Sequence, residues 1–291
     1  MPSNIKINNR VVSTLQVGDV IAESAYYGSS EVSNPVDFDA INYIAAVEAA
    51  DGQPLEEGVK QAIDGFVTGC KADGIWGALK ASCILAGART LNGALVPLAG
   101  DAPTNFNFVS ADYDRVTGLK GDGSTKYLRT GIRDTDTPQN STHIAAFITE
   151  LNTFSDGSYF VYLGTGRRVD GGTSLLSSTP TSLGGKNKDG INPQDEPLTI
   201  SANTFFGNSR TQSSSFTLRS EGVEATVSKS SMTALGRLVT VFGGGAADDT
   251  DAPFGITDAR LPFYSFGEAI DLAALDARVS ALMTEIEAAL T

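Results

Sequence analysis

Residues 118–128 read GLKGDGSTKYL, with three glycines, a serine, a threonine and two lysines in eleven positions. A phosphate-binding loop needs GxxxxGK[ST], in which the lysine reaches the phosphates and the hydroxyl binds magnesium. Gly118 and Gly123 have that separation, but Ser124 and Thr125 follow, and Lys126 falls two positions late. Such a loop also opens a helix, whereas 126–130 alternates as a strand does. Asp122-Gly123 is a tight-turn pair. The stretch is therefore expected to be a β-turn or hairpin, with no nucleotide site.

The other chemically able residues are few. His143 is the single histidine, so Ser/His/Asp or Cys/His catalysis would have to use it. It precedes the apolar run IAAFI, lacks a GxSxG motif nearby and is expected at a strand end. Cys70 and Cys83 match no common zinc or redox spacing; two buried thiols in helices, or a disulfide between neighbouring helices, are the alternatives. Two acidic loops, with Asp134, Asp136 and Asn140 in one and Asp248, Asp249 and Asp251 in the other, have the oxygen chemistry of a calcium loop but not the EF-hand pattern. They are expected to be solvated loops. Asn140-Ser141-Thr142 is formally a glycosylation sequon. A glycosidase could draw two carboxylates from distant positions, but no pair is marked out. No catalytic, cofactor-binding or metal-binding residue is assigned, and an enzyme is not expected.

The whole chain sets the frame. It has 291 residues, 41% hydrophobic and 19% charged, with a net charge of −13, as befits a packed globular protein. An acidic surface repels phosphate, which disfavours nucleic-acid binding. Asn4, Lys6, Asn8, Asn9 and Arg10 interrupt any apolar leader, so no secretory signal is expected. Residues 81–100 are the least polar stretch but carry Arg89 and Asn92, so membrane insertion is not expected.

Four segments must position any site. Residues 1–33 hold short strand-like pieces at 10–13 and 20–22 and too few apolar groups for a core, as expected of an attachment arm. Residues 34–90 read as a small helical unit of three helices. The first is capped by Asp39 and ends at Gly52, and the second opens at Pro54 with a stripe of Leu55, Val59, Ala62, Phe66 and Cys70. The third starts at Asp73, with Ile75, Trp76, Leu79 and Cys83 inward and Trp76 as core anchor. From 91 to 267 the period shifts to two. Strands are expected at 107–111, 126–130, 143–151, 159–164, 198–202, 214–219, 224–228, 237–242 and 261–266, separated by SDGS, GRRVDGG, GGKNKDG and GGGAADDTDAP. That pattern indicates a mainly β chain with an antiparallel β-sandwich; a β-helix would show a fixed repeat. Residues 268–291 form a terminal helix with a stripe from Leu272 to Ala289, to be covered by the sandwich, by the helical unit or by other copies.

AIDGFVTGCKADGIWGALKASCILAG, GLKGDGSTKYLRTG and FYSFGEAIDLAALDARVSALMTEI together resemble virion structural proteins of tailed bacteriophages, including cyanophages. The resemblance covers roughly residues 38–290 and implies a concanavalin A-like, laminin-G-like jelly roll displayed on a particle. On that footing the expected function is a fibre, tail or baseplate component whose sandwich binds a host-surface glycan through exposed Tyr, Asn and Asp in loops at one edge. Capsid decoration and polysaccharide hydrolysis are the alternatives. The expected partners are other virion proteins, reached through residues 1–33, and further copies of the chain in a homotrimer.

Overall fold

The computed structural model describes residues 5–7, 10–12, 25–26, 36–154, 159–165, 171–190, 197–245 and 252–291. They form an antiparallel β-sandwich with helices layered on one side, as the period-two patterning predicts.

The first large sheet has seven strands in the order Leu198–Thr199, Ser182–Asp189, Gly172–Ser177, Phe160–Gly164, Leu238–Val241, Tyr127–Arg133 and Thr104–Phe106. The second has six, in the order Val223–Val227, Phe216–Ser220, Thr204–Arg210, Thr142–Ile148, Phe263–Gly267 and Leu79–Ile84. Successive strand side chains point to opposite faces, and both faces of the six-stranded sheet are used. Ile144, Ala146, Ile148, Phe206, Leu218, Tyr264 and Phe266 face the seven-stranded sheet and meet Leu128, Leu163, Leu175, Val239 and Val241. Ala145, Phe147, Phe205 and Phe263 face the other way, into a second core shared with the helices.

Three helices make that outer layer: α1 (Phe38–Asp51), α2 (Glu57–Ala72) and, after the four-residue helix α3 (Leu91–Ala94), α4 (Leu272–Leu290). The cap of α1 is Asp37, whose side chain accepts from Asp39 N–H; Asp39 itself lies in the first turn. Helix α2 starts at Glu57 rather than at Pro54. The stripe of α4, Leu272, Leu275, Val279, Leu282 and Ile286, is buried against the same core as Val59, Phe66 and Cys70. Gly58 lies so close to α4 that a Cβ would come within 2.7 Å of Ala289 Cβ. The apolar seam is thus closed within the chain.

The expected third helix is not formed. After α2 the chain turns through Gly74 at φ +71°, makes a short 3-10 turn at Trp76–Ala78 and continues as the strand Leu79–Ile84. The strand pairs with Phe263–Gly267 through Cys83 opposite Tyr264 and Ala81 opposite Phe266. It lies between the helix layer and the sandwich core, so that apart from the half-buried Lys80 all of its residues are buried, and a short run buried on both faces reads like a buried helix. Trp76 is half-buried and packs on the helical core. Cys70 on α2 and Cys83 on the strand are both free and buried, and burial pushes each thiol up to about 12.

GGKNKDG is not a turn: all but its last glycine belong to the strand Ser182–Asp189. The strand expected at 107–111 is instead a 3-10 turn, Ser110–Asp112, preceded by the strand Thr104–Phe106. In the arm, Ile5–Ile7, Arg10–Val12 and Ala25–Tyr26 form a separate three-stranded sheet that pairs with neither large sheet. Residues 20–22 lie outside the described residues. Among the described residues, no helix is long and apolar enough to cross a membrane.

Candidate functional site

The sequence-marked residues do not converge. In GLKGDGSTKYL, Gly118–Lys120 is a strand that pairs with Arg260–Leu261 and Tyr113–Asp114. Asp122 then caps the turn, accepting from the N–H groups of Ser124 at 2.9 Å, Thr125 at 2.7 Å and Lys126 at 3.0 Å. Those bonds hold its carboxyl well below the usual carboxylate range, against the opposing effect of desolvation. Gly123 at φ +74° supplies the left-handed position. The backbone donors that a phosphate would need are therefore occupied by the chain's own carboxylate.

Asp134 is fully buried and accepts from the N–H groups of Leu235, Gly236 and Arg237 at 2.7–3.2 Å. Asp136 accepts from Arg133 N–H at 2.7 Å, and Asn140 is exposed. Asp134 and Asp136 are thus loop staples. Asp248, Asp249 and Asp251 lie outside the described residues.

His143 sits in the strand Thr142–Ile148 and is completely buried. Nδ1 lies 2.5 Å from the Glu268 carbonyl oxygen and Nε2 lies 2.7 Å from Ser265 Oγ. A carbonyl only accepts, so Nδ1 carries the proton and Nε2 accepts from the serine hydroxyl. Burial lowers its pKa to about 4, with the Glu268 hydrogen bond opposing. Its role in this position is to hold the segment that follows the strand Phe263–Gly267.

That segment forms one wall of a groove of about 520 Å³. Residues 268–271 are fixed to the six-stranded sheet at consecutive positions. Glu268 O accepts from His143, Ala269 N–H donates to Ser141 Oγ at 3.0 Å, and Ile270 N–H donates to Ser209 Oγ at 3.0 Å. Ser209 Oγ in turn donates to Ile270 O at 2.8 Å. Asp271 then caps α4, accepting from Ala273 N–H at 2.9 Å and Ala274 N–H at 3.1 Å. The opposite wall comes from the turn after α2, with Gly74, Ile75 and Ala78.

The floor follows from strand register. Ser209 pairs with Thr217, which pairs with Thr226; in the next row Gly207, Arg219 and Glu224 align. Phe216 and Leu218 point into the sandwich core, so Thr217 and Arg219 point outward. Helix α4 covers the Gly207 position, where a Cβ would lie 3.1 Å from Leu272, but not the outer two strands. This leaves Thr211, Thr217 and Glu224 lining an open groove with Asp271. Arg219 donates to Asp276 of α4 at 2.8 Å and to Glu224 at 3.1 Å, orienting the Glu224 carboxylate.

A second polar assembly is sealed inside the sandwich. Asn187 Nδ2 donates to Asn208 Oδ1 at 2.9 Å and to Thr142 O at 2.9 Å, bridging the two sheets. Lys188 Nζ donates to Thr137 O, Thr137 Oγ1 and Pro138 O at 2.7–3.0 Å, and burial lowers it to about 8. Arg210 is held by carbonyl oxygens, among them Asn187 O at 2.6 Å and Ser215 O at 3.1 Å. With Lys186, Lys188, Asp189 and Arg210 fully buried, the assembly ties the sheets together and offers no face to a ligand.

The expectation of exposed tyrosines at one edge is not met among the described residues. Tyr43, Tyr127, Tyr162 and Tyr264 are buried, and Tyr113 and Tyr159 are half-buried. Nor do the described residues contain a group of three His, Cys, Asp or Glu able to hold a metal ion.

No protein-family model matches the chain, and no curated protein matches it. Among solved structures, the chain is similar to a mutant Trypanosoma rangeli sialidase displaying trans-sialidase activity, at TM-score 0.45 and 11% identity over 77% of this chain and 39% of that one. It is also similar to the botulinum neurotoxin serotype D binding domain, at TM-score 0.43 and 10% identity over 70% of this chain and 51% of that one. The chain therefore spans between about four tenths and half of the length of these two structures. At these levels no residue role is carried across.

Proposed function

We propose that this chain is a structural component of a tailed-phage virion, carried at the fibre, tail or baseplate, whose sandwich binds a host-surface glycan without cleaving it. The observation that carries the binding reading is the groove on the outer face of the six-stranded sheet. It is about 520 Å³, within the size range of small-ligand sites. Its rim and floor present hydroxyl and carboxylate groups, the partners that sugar hydroxyls need. One of its walls, residues 268–271, is fixed by His143, Ser141 and Ser209, so little order has to be gained there on binding.

The particle setting rests on the phage resemblance of the three sequence segments, two of which meet in the fold. The strand Leu79–Ile84 pairs with Phe263–Gly267, and α2 shares its core with α4. Residues 1–33 serve as the attachment arm, with strands that pair among themselves. Display in a homotrimer raises the effective concentration of a weak single-site contact. The α4 seam is closed within the chain and is not the proposed trimer contact.

A glycan array with the wild type and Thr211→Trp tests the binding reading. Hits that disappear in a folded Thr211→Trp protein support it; the absence of hits contradicts it. Deleting residues 2–33 is expected to leave the circular dichroism of the sandwich intact and to abolish incorporation into the particle. Normal incorporation of the truncated protein would contradict the anchoring role.

A further inference from the structure

Resting on the glycan reading of the groove, we infer that it accepts oligosaccharides of neutral or amino-bearing sugars and rejects sugars that carry a carboxylate. The ionisable side chains that line it have one sign. Among the described lining residues there is no lysine or arginine, and both ionisable ones, Glu224 and Asp271, are acids. Both are exposed, so each can meet a ligand directly.

Two positive features nearby are already neutralised. The first is the N-terminus of α4, where free N–H groups and the helix dipole ordinarily favour an anion. Here Asp271 occupies that position, taking the N–H groups of both Ala273 and Ala274. The second is the guanidinium of Arg219. It lies between Asp276 and Glu224, and its side chain is only 14% exposed. With the Lys80–Glu268 and Arg278–Asp73 ion pairs that flank Ala269 and Gly74 included, the local set is the five carboxylates Glu224, Asp271, Asp276, Glu268 and Asp73 against the three cations Arg219, Lys80 and Arg278. A sialic acid or uronic acid entering the groove would meet like charge with no donor fork left to receive its carboxylate. A sugar ammonium would meet Glu224, the more exposed end of the Arg219–Glu224 pair at 45%. The net charge of −13 extends the same preference to the approach of the ligand.

The test is calorimetric titration of the full-length protein with a glucosamine tetramer, cellotetraose, sialyllactose and a galacturonate tetramer. The proteins are the wild type, Glu224→Gln and Thr217→Trp, each first shown to melt as the wild type does. Trp76 is the single tryptophan and directly follows the groove residue Ile75, so its fluorescence gives a second readout. The expected order in low salt is glucosamine tetramer over cellotetraose by up to about fivefold, the range of one exposed ion pair. The two acidic oligosaccharides are expected to show no binding. The gap between the first two should close in Glu224→Gln and in high salt. If a carboxylated oligosaccharide binds the wild type as tightly as the neutral one and Thr217→Trp removes it, the charge inference is wrong and the glycan reading stands. If no oligosaccharide binds, or binding survives Thr217→Trp, the glycan reading fails and the inference fails with it.

Discussion

His143 makes a prediction that can be worked through from its surroundings. It is the single histidine and is wholly buried, where desolvation lowers its pKa from 6.5 to about 4. The unfolded chain binds the proton near 6.5 and the folded chain only near 4. Between those values the unfolded state holds more protons, so stability rises with pH. The stabilisation is fully present above about 6.5 and is lost as pH falls towards 4. A shift of about 2.5 units, at about 1.4 kcal/mol each, amounts to about 3 kcal/mol. Burial also raises the carboxyls of Asp134 and Asp189, which adds to the pH dependence, so the wild-type curve alone does not isolate the histidine. The assay is urea unfolding of the wild type and His143→Gln at several pH values from 7.5 to 4.5. The wild type should lose about 2–3 kcal/mol more than the variant across that range. Its imidazole NMR signal should remain that of the neutral ring at pH 5.5. A native-state pKa near 6.5, or superimposable pH profiles for the two proteins, would refute the burial argument.

Other expectations follow from single contacts. Arg210→Met leaves the carbonyls of Asn187, Gln212, Ser215 and Lys229 without their donor and should cost about 3–4 kcal/mol in urea unfolding. Arg210→Lys should rescue little, because one ammonium cannot span those positions. Gly121→Ala would place a Cβ 2.0 Å from Thr257 O, a backbone atom, and should destabilise by about 3 kcal/mol. Gly52→Ala, at φ +70° in open space, should cost only about 1 kcal/mol; equal melting shifts for the two would contradict the distinction. Phe66→Ala should cost about 4 kcal/mol in chemical unfolding, and Trp76→Ala, being half-buried, about half as much.

The parts of the fold that were legible in the sequence are those whose two faces differ. Phe216–Ser220 alternates core and groove side chains, and α2 and α4 carry one apolar stripe each. Leu79–Ile84 is covered by helices on one side and by the sandwich on the other, so that even Ser82 is buried, and burial does not follow its period. Ser182–Asp189 failed for the opposite reason. Its glycines, lysines and asparagine have turn composition, yet they are buried because Asn208, Thr137 and Pro138 satisfy them across the sheets. That compensation comes from strands tens of residues away and leaves no local signal. The groove was illegible for the same reason. Thr211, Thr217, Glu224 and Asp271 are ordinary surface residues in sequence, and only register and the position of α4 bring them together with the turn after α2. His143 lies in a strand as its surroundings in the sequence indicate, but its function as the clamp on residues 268–271 depends on partners more than 120 positions away.

The most direct measurement is a crystal structure of the full-length protein soaked with the strongest oligosaccharide from the array. The account predicts sugar density in the groove, with ring hydroxyls within hydrogen-bond distance of Thr217, Glu224 and Asp271 and the 268–271 wall unmoved. Sugar bound at another face, with the groove empty, would contradict it.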